Sequence, residues 1–187
     1  MISTNEFRTN STIEFEGNIY SVVEFQHVKS ARSGAFVRTK LRNLRTGAIF
    51  EHTFNSGDKV KKAPINKTPM QYLYASGQEH VFMNTETYEQ INLDESQISN
   101  ELKYIVESNI VDVIFFDSSE VLGLELKDKV VLTVTETEPG VKGDTKTNAS
   151  KDAIMETGLL VKVPLFIEQG ERLIISTHDG SYVSREK

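Results

Sequence analysis

Neither cysteine nor tryptophan occurs among the 187 residues, so a disulfide framework and thiolate metal ligation are both excluded, in keeping with a reducing compartment. Nowhere do about 18 apolar residues follow one another, the length that a membrane-crossing helix needs. The opening MISTNEFRTN lacks the basic start and apolar run of a secretory signal. A soluble, cytoplasmic protein with no membrane association is the expectation. Catalytic signatures are missing as well. His27, His52, His80 and His178 stand apart from one another and from any HExxH or His-x-His spacing. There is no Gly-x-Ser-x-Gly elbow, no Walker loop and no dinucleotide glycine motif. Carboxylates are plentiful, but their spacing singles out no pair. The sequence predicts no active site, no metal and no cofactor.

What is present is unevenly placed. The net charge is −6, yet residues 1–64 hold 10 Lys/Arg against 6 Asp/Glu, residues 65–128 hold 3 against 12, and residues 129–187 hold 8 against 9. A basic first third on an acidic middle predicts that only part of the molecule meets phosphate directly. For the acidic middle third, ordinary solubility charge is the favoured reading.

Short apolar segments punctuated by Gly, Asn and Asp predict an all-β chain with one short helix, built as three tandem small β-barrels. In the first third the expected strands are residues 13–15, 19–28, 35–44 and 48–54. The polar run 59–64 ends at Pro64, which cannot donate to a continuing ladder, so the first boundary is placed there. Residues 69–75 and 80–84 read as a hairpin. Asp94 is a helix cap, with Ile98, Leu102 and Ile105 at helical spacing behind it. Residues 110–116 and 121–126 are strands, and Lys127-Asp128-Lys129 marks a second boundary. The domains are therefore residues 1–64, 65–128 and 129–187. The last is read as strands 130–137, 158–163, 165–167, 172–177 and 182–183, with a long loop over 138–150 and a hairpin turn at Asp179-Gly180, both residues tolerating positive φ. Five short strands suit an OB-like barrel. Modules of this size are individually marginal, so an elongated, fairly rigid chain of barrels is expected.

Between two strands of the basic third lies Lys29-Ser30-Ala31-Arg32-Ser33-Gly34, small residues around one long cation. Such a tip is thin enough to enter a narrow space while the Arg32 guanidinium forks onto phosphate or stacks on a base; on sequence statistics alone, a solvated turn that contains Arg is the favoured reading. Behind it, Arg38, Lys40 and Arg42 alternate with Val37 and Leu41, which puts the three cations on one face about 6.6 Å apart. That strip suits a nucleic-acid backbone, or else protects an edge strand. Lys29, Arg32 and Arg45 on nearby turns favour phosphate. A second loop, with Gly140, Lys142 and Gly143, offers backbone N–H groups beside a cation, although a plain loop is about as well supported.

Residues 151–170 (KDAIMETGLLVKVPLFIEQG) place Lys151, Ala153, Gly158, Val161, Val163, Pro164, Ile167 and Gly170 in the spacing of the C-terminal signature of bacterial translation elongation factor P. Further similarity lies in residues 70–90 (MQYLYASGQEHVFMNTETYEQ) and 35–47 (AFVRTKLRNLRTG). On these motifs the chain is identified as a member of that family, a resemblance spanning nearly its whole length. The resemblance implies an N-terminal KOW/SH3-like barrel followed by two OB-fold barrels, an elongated tRNA-like shape, and no reaction catalysed by the protein itself. It also implies binding to the ribosome, its RNA and its proteins, between the peptidyl and exit sites when synthesis stalls at consecutive prolines. There the hairpin tip holds the acceptor end of peptidyl-site tRNA in a productive geometry. Arg32 occupies the matching tip position. Many relatives read Lys-Pro-Gly-Lys-Gly where this chain reads Lys29-Ser30-Ala31-Arg32-Ser33. Arg32 excludes a lysine-derived extension at this position and leaves a sugar, added by a tip-modifying enzyme, or no modification. The tip is also similar to that of the elongation factor P-like paralogue. The rival from another class is a general RNA- or single-strand-binding OB-fold protein, which calls for stacking aromatics and a broadly basic groove; the acidic middle third argues against it. A monomer is expected.

Overall fold

The computed structural model describes residues 1–30, 34–140 and 149–187, and it is almost entirely β, with a single α-helix of one turn among the described residues. The chain divides into two compact units, Met1–Thr68 with Val113–Gly123, and Pro69–Asp112 with Leu124–Lys187.

In the first unit, β1 (Ile2–Ser3), β2 (Thr12–Phe15), β3 (Asn18–Ser30), β4 (Gly34–Asn43), β5 (Ile49–Asn55) and β6 (Lys59–Lys62) form a six-stranded sheet in the order β1-β6-β2-β3-β4-β5. Period-2 alternation sends Ile13, Tyr20, Val22, Val37, Leu41 and Phe54 into one core, which Phe7, just after the 3-10 turn Thr4–Glu6, joins. Along β4 the division is strict, with Val37, Thr39, Leu41 and Asn43 buried and Arg38 and Arg42 exposed. Thr39 is satisfied by donating to the His52 carbonyl at 2.7 Å. The sequence expectation for residues 59–64 needs correction. Lys59–Lys62 is a strand, pairing Val60 with Ile2 and Lys62 with Ile13. Three lysines around one valine hide that strand from a periodicity argument, and only its two partners reveal it.

The middle strands are β7 (Ile65–Ser76), β8 (Glu79–Asn84), β9 (Gln90–Asp94), β10 (Ile110–Phe116) and β11 (Glu120–Glu125), ordered β11-β10-β7-β8-β9. Asp94 does cap a helix, α1 (Glu95–Ile98), through a capping box with Gln97. The expected helical run through Leu102 and Ile105 is corrected to one α turn and a separate 3-10 turn, Glu101–Lys103. Ser99 and Asn100, poor helix formers, lie at the break, while Ile98 and Ile105 are still buried. Inside this sheet Tyr72 and His80 are both buried and join hydroxyl to Nδ1 at 2.8 Å. Burial, with the charge of Glu107, raises the Tyr72 phenol above its ordinary pKa.

The last strands are β12 (Lys129–Thr137), β13 (Ser150–Met155), β14 (Leu160–Pro164), β15 (Arg172–Ser176) and β16 (Tyr182–Arg185), ordered β14-β13-β12-β15-β16. The count of five expected strands holds, but their identity changes. Ser150–Met155 is a strand whose Ala153 and Met155 face the core, and residues 165–167 are a turn in which the Ile167 N–H donates to the Pro164 carbonyl at 3.2 Å. Apolar Leu165-Phe166-Ile167 resembles a strand in composition, yet only Ile167 is fully buried. At the hairpin turn Gly180 alone takes positive φ, and Asp179 does not.

Candidate nucleic-acid interface

The basic hairpin is β3 paired to β4 from Tyr20↔Asn43 to Ser30↔Gly34. β5 flanks β4 only as far as Phe36↔Asn55, so the last pairs of the β3–β4 ladder, Lys29↔Ala35 and Ser30↔Gly34, have no β5 beside them. Exposed Lys29 stands at its end, opposite Ala35. Ala31, Arg32 and Ser33 lie outside the described residues.

Arg38, Lys40 and Arg42 share the outer face of β4, as alternation requires, but their surroundings differ. Arg38 is flanked by Gln26 and Thr53, and Arg42 by Ser21 and Ile49. Lys40 is flanked by Glu24 and Glu51, and its Nζ lies 3.0 Å from the Glu24 carboxylate. The hydrogen bond to Glu24, with that carboxylate's charge and a smaller contribution from Glu51, raises the Lys40 pKa. A β-bulge between Val22 and Glu24 sets this register; one residue of slip would turn Glu24 to the other face. The strip is thus two neutral-flanked arginines, about 13 Å apart by strand geometry, separated by a neutralised lysine.

Arg45 is engaged by the chain itself. Its Nε and Nη2 donate to the two Glu120 carboxylate oxygens at 2.7 and 3.0 Å, and Nη1 donates to the Gly17 carbonyl at 3.1 Å. The hydrogen bonds from Arg45 hold the Glu120 carboxyl below its usual range. A residue expected on phosphate is here a bidentate clamp, and its partner, 75 positions away, carries no local sequence signal.

In the second loop only Gly140 is described; Lys142 and Gly143 lie outside the described residues. A Cβ on Gly140 would meet the Leu165 carbonyl oxygen at 2.5 Å, so the glycine is there for close backbone approach. Lys151 Nζ donates to the Glu138 carbonyl at 2.6 Å and ties down the loop's start. The family signature is structural in the same way. Ala153, Val161, Val163 and Ile167 fill the third core, and Gly158 and Gly170 occupy turns of positive φ.

Three family models match: one described as the elongation factor P (EF-P) KOW-like domain over residues 3–60, the elongation factor P (EF-P) OB domain over 65–123, and elongation factor P, C-terminal, over 130–185. The chain is 53% identical over 186 residues to elongation factor P of Phytoplasma australiense, covering 100% of this chain and 98% of that protein. It is equally 53% identical to elongation factor P of Onion yellows phytoplasma (strain OY-M), with the same coverage. Among solved structures, eukaryotic translation initiation factor 5A from Methanococcus jannaschii superposes with a TM-score of 0.52 at 18% identity, over 65% of this chain and 86% of that one, a likeness of fold.

Proposed function

The chain belongs to the elongation factor P family of translation elongation factors, and from that premise we propose that it binds the ribosome beside peptidyl-site tRNA and speeds peptide-bond formation at consecutive prolines. The protein performs no chemistry; its tip, with Arg32, positions the tRNA acceptor end for a reaction the ribosome carries out. The observation that carries this reading is the β3–β4 ladder, which extends past its flanking strand and holds outward cations behind the tip. The modules are taken as 1–64, 65–128 and 129–187, supported by sheets spanning 2–62, 65–125 and 129–185. The factor acts as a cytoplasmic monomer without a cofactor, and among the described residues no helix is long and apolar enough to cross a membrane.

The test is the yield of a Pro-Pro-Pro peptide beside a proline-free control in reconstituted translation, using protein purified from its own cells, with and without Arg32→Ala. Selective rescue by the wild type, lost in the variant, is expected. Absence of any proline-selective rescue by the wild type overturns the proposal, and tight binding to free homopolymer RNA would favour a general RNA binder instead.

The unequal surroundings of the strip separate its members. Arg38→Ala and Arg42→Ala should each weaken ribosome binding and lower the slope of log K against log salt by about one. Lys40→Ala should leave that slope nearly unchanged, because Glu24 and Glu51 already neutralise it. Equal slope changes for all three would refute the assignment. The phosphate contacts proposed here are therefore Arg38 and Arg42, with Lys29 at the tip; Arg45 is left to its clamp.

A further inference from the structure

Three hairpins of this chain close with the same turn. Between β4 and β5, the Gly47 N–H donates to the Asn43 carbonyl and the Asn43 N–H to the Ala48 carbonyl, both at 2.8 Å. The Asn43 side-chain oxygen there accepts from the N–H groups of Arg45 and Thr46. Between β15 and β16, the Gly180 N–H donates to the Ser176 carbonyl and the Ser176 N–H to the Ser181 carbonyl, both at 2.9 Å. Between β8 and β9, the Tyr88 N–H donates to the Asn84 carbonyl at 2.9 Å and the Asn84 N–H to the Glu89 carbonyl at 2.8 Å. The Asn84 side-chain oxygen accepts from Glu86 and Thr87. The fifth residue of each turn is left-handed, with φ of 74° at Gly47, 71° at Gly180 and 61° at Tyr88.

Glycine meets that requirement without strain, whereas a bulky side chain in the left-handed region is an outlier that persists for a reason outside the turn. Among the described residues no hydrogen bond, ion pair or ring contact of the Tyr88 side chain supplies one. The Tyr88 side chain is 71% exposed, and among the described residues it has no partner. Every hydrogen bond of the turn is made by backbone or by other side chains. Rigid, amphipathic tyrosine is a frequent anchor of protein interfaces. Its surroundings choose the partner. Exposed Glu86 and Glu89 flank it, and no Lys or Arg occurs between Lys67 and Lys103. Phosphate would be repelled there, while a basic protein surface would be drawn to the rim and could set an arginine or lysine over the ring.

We propose that Tyr88 is the anchor of a docking surface for a Lys/Arg-rich protein surface on the ribosome, a location that rests on the function proposed above. The test uses the full chain and intact 70S ribosomes, with binding read by sedimentation. Tyr88→Gly should leave the melting temperature unchanged or raise it by up to about 4 °C, while weakening ribosome binding at least about tenfold. A photoreactive benzoylphenylalanine at position 88 should crosslink to a basic protein. Wild-type binding by Tyr88→Gly, crosslinking to RNA alone, or a lowered melting temperature each overturns the anchor and leaves the function above untouched. If the wild type itself fails to bind ribosomes, the function reading falls and this inference with it.

Discussion

Leu41→Ala is expected to lower the unfolding free energy by about 3 kcal/mol, within the range of about 2–5 kcal/mol found for leucine truncation in cores. Leu41 is fully buried, sits opposite equally buried Val22 across the β3–β4 ladder, and belongs to the cluster of Phe7, Ile13, Tyr20 and Val37. Cutting its isobutyl group back to a methyl leaves a cavity that two hydrogen-bonded neighbouring strands cannot close by moving. The adjacent Arg42→Ala removes an exposed side chain and should change stability by less than about 0.5 kcal/mol. The contrast separates the buried inner face of β4, which supports the hairpin, from its outer face, where Arg42 is exposed. Urea denaturation followed by amide exchange in the first unit measures both. A loss below about 1 kcal/mol for Leu41→Ala would mean that the hairpin base is not packed as described.

Gly140→Ala should cost about 2–3 kcal/mol, as overpacking against fixed atoms does. The obstruction is the Leu165 carbonyl oxygen, which the new Cβ would approach to 2.5 Å. That carbonyl belongs to the turn closed by the Ile167 N–H on Pro164, and Ile167 is itself fully buried. Withdrawal would therefore drag a core side chain with it. A thermal scan should show the midpoint falling by roughly 4–12 °C, from about 2–4 °C per kcal/mol for a chain of this size. An unchanged midpoint would show that the loop's start is not seated on Leu165 and would restore the reading of Gly140 as a phosphate-binding glycine.

Local chemistry made much of this molecule legible from its residues. Alternation along 35–43 placed Val37 and Leu41 inside and Arg38, Lys40 and Arg42 outside, because a side-chain period of two is a property of any extended strand. The Asp94 cap was visible because a cap is made within four residues, and the glycine-bearing turns because only a few residue types tolerate left-handed backbone. The failures share an opposite cause. Lys59–Lys62 is a strand through its neighbours Ile2 and Ile13, and Ser150–Met155 displaces apolar residues 165–167 because its pairing with β12 and β14 buries Ala153 and Met155.

The site divides along the same line. Residue types and spacing alone put a small-residue segment with one arginine ahead of alternating cations, and a family signature at residues 151–170. Only the tertiary structure decided which of these residues are paired and which conformations are imposed. A bulge on β3 brings Glu24 beside Lys40, a fold-level meeting turns Arg45 onto Glu120, and a strand pairing forces Tyr88 into a conformation that glycine fills elsewhere. The physical reason is range. Propensity, alternation and capping act within a few residues and can be read from the chain, whereas charge neutralisation, close backbone approach and imposed strain depend on atoms brought together from distant positions by the register of the strands.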